Sequence, residues 1–337
     1  MPLFSSQPDF DFIGKRWYAV GLSGLVIVAG LVAFVSRGGL LLGIDFSGGT
    51  LMVLEFEQPT TEDVVRDALA EVDEKVVQQY GDSGGGILIR LPQSGPEQGT
   101  SLELGAEQVV STLESSGLGE FEVASRELVG PVIGRELQQR GMSAFVFALA
   151  GILIYVGLRF RFSFGLGAIV AVVHDILVTL SLLTIFGYEL SLNVVAAMLT
   201  ITGYSVNDSI VVFDRVRENL RLMRRDQFEH LVNTSINQML ARTIITSGTT
   251  SFAVLALFIF GGEVLRGFSF TMLIGVISGT YSTIFIATSV AIMMARGRSA
   301  PRSQPSTTPR SAEKANQASR TQRPQRSKRP SRKARAS

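Results

Sequence analysis

The sequence predicts a polytopic α-helical membrane protein with six transmembrane helices and a small extracytoplasmic α+β (ferredoxin-like) domain between the first and second. Three observations carry that prediction. Of 337 residues, 46% are hydrophobic and only 18% are charged, against roughly 25% charged in soluble chains. Six apolar stretches reach or approach the length that crosses a bilayer, about 20 residues at 1.5 Å each. Charge is segregated along the chain rather than mixed, so the net value of +2 describes no single region.

The stretches are residues 17–35, 142–158, 164–186, 190–213, 243–260 and 268–295. The first and last contain no acidic or basic residue. The third and fourth are interrupted by His174, Asp175, Asn193, Asn207 and Asp208. Short connections, Gly187 to Glu189 and Gly261 to Gly267, make spans three and four, and five and six, antiparallel neighbours. For span one the rival reading is a cleaved signal peptide. Its length and its exit through Ser36, Arg37, Gly38 and Gly39, without an A-x-A pattern, argue against that.

Orientation follows from the positive charges. Lys15 and Arg16 precede span one, Arg159 and Arg161 separate spans two and three, and Arg215, Arg217, Arg221, Arg224 and Arg225 follow span four. Residues 296–337 add thirteen Lys/Arg against one Glu, whereas residues 38–140 hold six Lys/Arg against eighteen Asp/Glu. Six spans with both termini in the cytoplasm satisfy all of these constraints. The expected division is a cytoplasmic N-terminus at 1–16, span one, an outer domain at 36–141, spans two to four within 142–213, a cytoplasmic amphipathic loop at 214–242, spans five and six within 243–295, and a tail.

Within the outer domain, Leu51 to Phe56 is a short bounded apolar run, the pattern of a buried strand. Val64, Val65, Ala68, Leu69 and Val72 share one helical face over 62–72, after a Thr60–Thr61 cap. Residues 75–80 and 87–91 flank a glycine-rich connection at 81–86 and predict a hairpin. Leu102, Ala106, Val109, Val110 and Leu113 mark a second amphipathic helix, and 120–128 a fourth strand. The order strand, helix, strand, strand, helix, strand is the split βαβ, ferredoxin-like pattern.

In the loop at 215–241, Val216, Leu220 and Met223, then Leu231, Val232, Ser235, Ile236 and Met239, recur at helical spacing. That spacing predicts interfacial helices along the membrane surface. The tail is rich in Ser, Pro, Arg, Lys, Gln and Ala, a composition that predicts disorder. Its charge suits contact with anionic lipid or the ribosome, or serves topology and solubility alone.

Composition also excludes chemistry. With no cysteine there is no disulfide, thiol nucleophile or Cys-type metal site, and two histidines are too few for a His-rich centre. The outer domain holds no catalytic constellation. The expectation is a chain that is not an enzyme and uses no cofactor and no metal.

Charge at bilayer depth is costly and marks a functional site by default. Asp175 falls near mid-membrane, about 11 residues into span three. Asp208 lies six residues before Asp214 at the cytoplasmic edge of span four, and Arg242 opens span five on the same side. Asp208 and Arg242 therefore share a depth, and each is the other's most obvious partner. Such a pair works as a proton switch: a guanidinium brought close favours the ionised carboxylate, and one withdrawn favours the protonated form. A static pair fixing helix register is the alternative. Thr246 lies one turn after Arg242, and Thr202 and Ser205 lie near Asp208. His174 and Asp175 project about 100° apart, which sends them to different sites; Asp175 is expected to face the bundle and bond Ser or Thr on a neighbouring helix. Gly275-x-x-x-Gly279 predicts close helix packing, and Gly203 a close approach.

Five runs then match one family: Gly43-Ile-Asp-Phe-Ser-Gly-Gly-Thr50, Val129-Gly-Pro-Val-Ile-Gly134, Val173-His-Asp175, the stretch from Gly203-Tyr-Ser-Val-Asn-Asp208 to Asn219, and Asn237-Gln-x-x-x-Arg-Thr243. In order and at the expected topological positions, they make the chain resemble the SecF family of protein-export membrane proteins, in the resistance-nodulation-division superfamily. The resemblance covers residues 9 to about 295 and omits the tail. It implies a bacterial inner-membrane subunit that pairs with SecD, associates with the SecYEG translocon and uses the proton gradient to help draw preproteins across. It places Asp208, Arg242 and Thr246 in a proton relay completed by an aspartate on SecD; Asp175 is a further candidate. Lipid and preprotein are the remaining expected contacts. The residues leave open whether H⁺ or Na⁺ is the coupling ion.

Three other protein classes share parts of this pattern. An intramembrane aspartyl protease resembles a Tyr-Asp plus Gly-x-Gly-Asp pairing, which neither span three nor span four contains. A half-size proton-coupled small-molecule exporter of the same superfamily would lack the second six spans. A non-transporting assembly factor would make Asp208→Asn nearly silent.

Overall fold

The computed structural model describes residues 9–72, 75–80, 85–91, 100–160, 162–223 and 226–296. The tail beyond residue 296 and the hairpin tip at 81–84 lie outside these residues. Helix α1 (Arg16–Ser36) leads through a single turn, α2 (Ile44–Ser47), into β1 (Gly49–Phe56), α3 (Glu62–Ala68), β2 (Val76–Tyr80), β3 (Gly86–Leu91), α4 (Thr100–Ser115) and β4 (Phe121–Val129). Helices α5 (Pro131–Arg159), α6 (Phe162–Phe186), α7 (Leu192–Leu222) and α8 (Phe228–Phe260) follow. The last span is α9 (Gly262–Ser282), a π-helical turn at Thr283–Ala287, and α10 (Thr288–Arg296). Among the described residues, six helices are long and apolar enough to cross a membrane.

The α+β domain sits between the first two spans, as the sequence predicts. Its sheet has the order β2-β3-β1-β4 with every pairing antiparallel. Crossovers through α3 and α4 place β1 and β3 at the centre, the ferredoxin-like arrangement. Pairing Met52 with Ile89 and Leu54 with Ile87 sets one apolar face. Those side chains, with Phe56, pack on Val65, Leu69, Ala106, Val109 and Leu113 of the helical layer. Helix α3 stops at Ala68, a turn short of the expected end. Leu69 is its C-cap and is fully buried.

In the bundle, α9 packs against α6, α7 and α8, and α1 packs against α6. A Cβ on Gly275 would stand 2.3 Å from the Ile201 side chain, and one on Gly279 3.0 Å from Ser205. The Gly-x-x-x-Gly pattern therefore brings α9 against α7, as expected. Gly203 does not do the same work: a Cβ there meets nothing within 4 Å. The apolar stripe of 215–241 corrects the sequence reading more deeply. It belongs to unbroken extensions of α7 and α8 and not to separate interfacial helices. Val216, Leu231, Val232, Ile236 and Leu240 are buried in the largest core cluster, with Leu220, Met223 and Met239 against it. The stripe runs in phase with each span, so neighbouring helices cover it where a membrane surface was expected to.

Two predictions follow from this architecture. Gly275→Val should destabilise the detergent-solubilised protein by about 1–3 kcal/mol through overpacking, seen as a lower thermal midpoint, while Gly151→Val, where nothing lies within 4 Å, should leave the midpoint unchanged. On β4, burial and then the nearby Asp45 charge push the Glu127 carboxyl above its ordinary 4.5. Its stabilising contribution is full below that ordinary value and is lost as pH rises through the raised one. Unfolding of Glu127→Gln across acidic to neutral pH should show a flatter stability profile than the parent.

Candidate functional site: two carboxylates inside the helix bundle

The two intramembrane aspartates have opposite surroundings. Asp175 on α6 is 2% exposed. Its Oδ2 accepts from Ser205 Oγ at 2.6 Å and from Ser282 Oγ at 2.7 Å; its Oδ1 accepts from Ser278 Oγ at 2.7 Å. His174 Nδ1 lies 3.1 Å from the same Oδ1, and His174 Nε2 lies 2.8 Å from Ser23 Oγ on α1. The expectation that Asp175 bonds hydroxyls of a neighbouring helix holds. The expectation that His174 and Asp175 serve separate sites does not. The 100° between helix positions separates the Cα–Cβ directions, but a long imidazole swings its Nδ1 back to the adjacent carboxylate. A carboxylate has about four lone-pair positions, and here each oxygen has two neighbours.

This junction draws α1, α6, α7 and α9 together at one depth. The π turn at Thr283–Ala287 begins directly after Ser282, and Thr283 Oγ1 lies 2.9 Å from Ser209 Oγ on α7. Single-turn π segments occur often at functional sites. Ser278 and Ser282 went unread in the sequence, though their i, i+4 spacing beside Gly275 and Gly279 puts four small residues toward one side of the helix.

Asp208 on α7 is buried but less completely satisfied. Its Oδ1 accepts from Thr243 Oγ1 at 3.0 Å, while Oδ2 is buried with no hydrogen-bond partner among the described residues. The expected direct pair with Arg242 is not formed: no ion pair joins the two among the described residues. Thr243, one position further round α8, points at Asp208, and Arg242 is consequently turned outward and exposed. Both groups still line one cavity of about 270 Å³, with Tyr204, Asn207, Thr246 and Thr249. The Tyr204 hydroxyl is likewise buried with no hydrogen-bond partner among the described residues. Thr246 Oγ1 donates to its own helix, to the carbonyls of Arg242 (3.0 Å) and Thr243 (3.1 Å). Ser205, expected near Asp208, serves Asp175, and Thr202 bonds the Met198 carbonyl.

The structure thus brings Asp208, Arg242 and Thr246 to one cavity and sets Asp175 apart from it. Gly203, Asn207, Arg242, Thr246 and Thr249 are all exposed on this side of α7 and α8. A polar face at membrane depth belongs against protein or water, not lipid.

Fold and site together define an integral membrane protein of six helices with an α+β domain between the first two and a titratable, polar cavity opening on one side of the bundle. Residues 108–297 match the family model for the C-terminal part of the protein-export membrane proteins SecD and SecF, and residues 38–60 match the SecD/SecF GG motif. The chain belongs to the SecD/SecF family. It is 42% identical over 291 residues to protein translocase subunit SecF of Escherichia coli O157:H7, covering 86% of this chain and 89% of that one. It is 41% identical over 287 residues to the Pseudomonas aeruginosa protein of the same name, covering 84% and 91%. The crystal structure of SecDF, a translocon-associated membrane protein from Thermus thermophilus, superposes with a TM-score of 0.76 at 36% identity, over 88% of this chain. The present chain spans 40% of that longer SecDF chain.

The Asp175 junction makes a direct prediction. Asp175→Ala removes the acceptor of Ser205 and Ser278, at about 1–3 kcal/mol for each buried group left unpaired, while Ser282 keeps the Gly279 carbonyl at 3.1 Å and His174 keeps Ser23. Thermal unfolding in detergent should show a large loss of stability for Asp175→Ala and a smaller one for Ser278→Ala, which removes a single donor.

Proposed function

We propose that the chain is a SecF subunit of the protein translocase that works with SecD to use the proton motive force in preprotein translocation. One observation carries the mechanism: among the described residues Asp208 has no partner for one buried carboxylate oxygen beside a polar cavity, while Asp175 has two neighbours on each oxygen. Asp208 is the proton-carrying group. Arg242, lining the same cavity, tunes it by approach and withdrawal without giving up its own charge. Thr246 and the Tyr204 hydroxyl hold water or a partner group at the cavity wall. Asp175, included in the relay on sequence grounds, acts as the junction of the helices and not as a carrier.

Only a proton affinity that differs between two bundle arrangements can drive a movement. The membrane potential contributes roughly 2.3 kcal/mol per charge per 100 mV, enough to bias a balanced pair of states. The polar face around Arg242 and Thr246 is where the SecD helices sit, and SecD supplies the second half of the relay. Both termini lie in the cytoplasm of a bacterial inner membrane, by the distribution of Lys and Arg. The role is transport and not catalysis, with no cofactor beyond the ion gradient. Contacts with SecYEG and preprotein belong to this same reading, as does an anionic lipid or ribosome contact for the basic tail.

The test is gradient-dependent preprotein export in vesicles containing SecD, comparing the parent with Asp208→Asn while assembly with SecD is measured alongside. The gradient-dependent part of export should disappear with assembly intact. Unchanged export would make Asp208 architectural. Replacing the proton gradient with a sodium gradient in the same vesicles identifies the coupling ion.

A further inference from the structure

The Gly43–Thr50 run takes no part in the proton chemistry, yet it, the residues just before it and β3 contact the first residue of α7 and the Glu189–Leu190 loop that leads into it. Gly43 N donates to the Leu190 carbonyl at 2.9 Å, and Leu190 N to the Leu41 carbonyl at 2.7 Å, so the two segments form a short parallel bridge. Asp45 Oδ2 accepts from Leu192 N at 2.8 Å, filling one of the free N–H positions in the first turn of α7. A carboxylate is the favoured acceptor there, because the helix dipole is positive at that end. Arg90 of β3 reaches the same loop: its Nη1 donates to the Leu42 carbonyl at 3.3 Å, and the buried guanidinium has the Glu189 carboxylate as its opposite charge, with no formed hydrogen bond on Nε or Nη2 among the described residues. The Arg90 and Glu189 side chains are only 12% and 23% exposed, so removing one leaves the other poorly hydrated.

The glycines of the run have reasons in this joint. Gly48 at φ 75° and Gly49 at φ 121° turn the chain from α2 into β1. A Cβ on Gly43 would press to 3.2 Å from the Leu190 carbonyl oxygen, and one on Gly134 to 3.1 Å from Gly48 N, where α5 begins. From this joint α7 continues without a break to Leu222. Asp208 lies on it about 24 Å from Leu192, at 1.5 Å per residue.

Resting on the proton-coupled reading above, we propose that Asp45, Arg90 and Glu189 form the joint that makes α7 and the sheet domain move as one body. They are positioning residues: they touch no proton site, and they convert displacement of the helix carrying Asp208 into displacement of the domain. The GG-motif segment is then the bearing of the machine. Losing the joint leaves the domain attached through α1 and α5 but no longer driven by α7.

The chain has no native cysteine, so spin labels can be placed at Glu122→Cys on β4 and Asn193→Cys on α7, both exposed positions, in the full chain assembled with a cysteine-free SecD. Pulsed dipolar spectroscopy should give one narrow distance distribution in the parent and a broadened one in Asp45→Ala and Glu189→Ala. Asp45→Asn retains a side-chain acceptor for Leu192 N and should stay narrow. In export vesicles the first two variants should lose gradient-dependent export roughly fivefold or more, the scale of a 1 kcal/mol coupling, with Asp45→Asn near the parent. An unbroadened distribution overturns the joint, and a broadened one with undiminished export overturns its role in coupling. Asp208→Asn run in parallel separates the two ideas: if it is silent, the proton reading fails, and the spin-label distances alone decide whether the joint exists.

Discussion

A carboxylate inside a helix bundle must find donors, and Asp175 finds them on two other helices. Ser205 comes from α7 and Ser278 and Ser282 from α9, while the adjacent His174 extends the cluster to Ser23 on α1. Every one of those hydroxyls belongs to a small residue, and the same faces carry Gly275 and Gly279. Close helix approach and carboxylate satisfaction are therefore one requirement, since serine hydroxyls reach Asp175 only if the backbones come within a small side chain of each other. In a low-dielectric interior an unsatisfied carboxylate is expensive, so this junction fixes the register of α6, α7 and α9.

With that register fixed, Asp208 is free to differ. It lies on the same helix as Ser205, three residues on and hence nearly one turn away, but it faces α8 instead of α6 and α9. Thr243 satisfies one oxygen; the other opens toward a cavity that also receives Arg242. A satisfied junction and an incompletely satisfied site on one rigid helix make a sound division of labour. The first holds the bundle together while the second changes state. The start of that helix and the loop before it are in turn held by Asp45, Arg90 and the Leu41–Gly43 segment, so the chemistry of the bundle and the position of the sheet domain meet on α7.

Much of this was legible in the sequence. Hydropathy defined six spans, because a bilayer imposes length and composition on any helix that crosses it. Short bounded apolar runs and period-3.6 faces gave the element order of the sheet domain, and the structure added the strand order β2-β3-β1-β4. Buried charge identified Asp175 and Asp208, since so few residues of that kind are tolerated at such depth. The Gly-x-x-x-Gly pair also read correctly, as two glycines one turn apart open a groove that a neighbouring helix can fill.

What tertiary structure decided was pairing. Asp208 was expected to pair with Arg242, but the helix phase of α8 presents Thr243 and turns Arg242 outward. His174 was separated from Asp175 by helical geometry, yet side-chain length reunites them. The stripe at 215–241 was assigned to the membrane surface, and neighbouring helices bury it. Each difference has the same origin: a one-dimensional pattern tells which face of a helix is apolar or charged, but only the packing of several helices says what that face meets. The sequence by itself determined the spans, the domain and the titratable residues, because these answer to local composition and period. The structure alone decided which hydroxyl serves which carboxylate and that the Gly43–Thr50 run grips α7, because those contacts join residues that only the fold brings together.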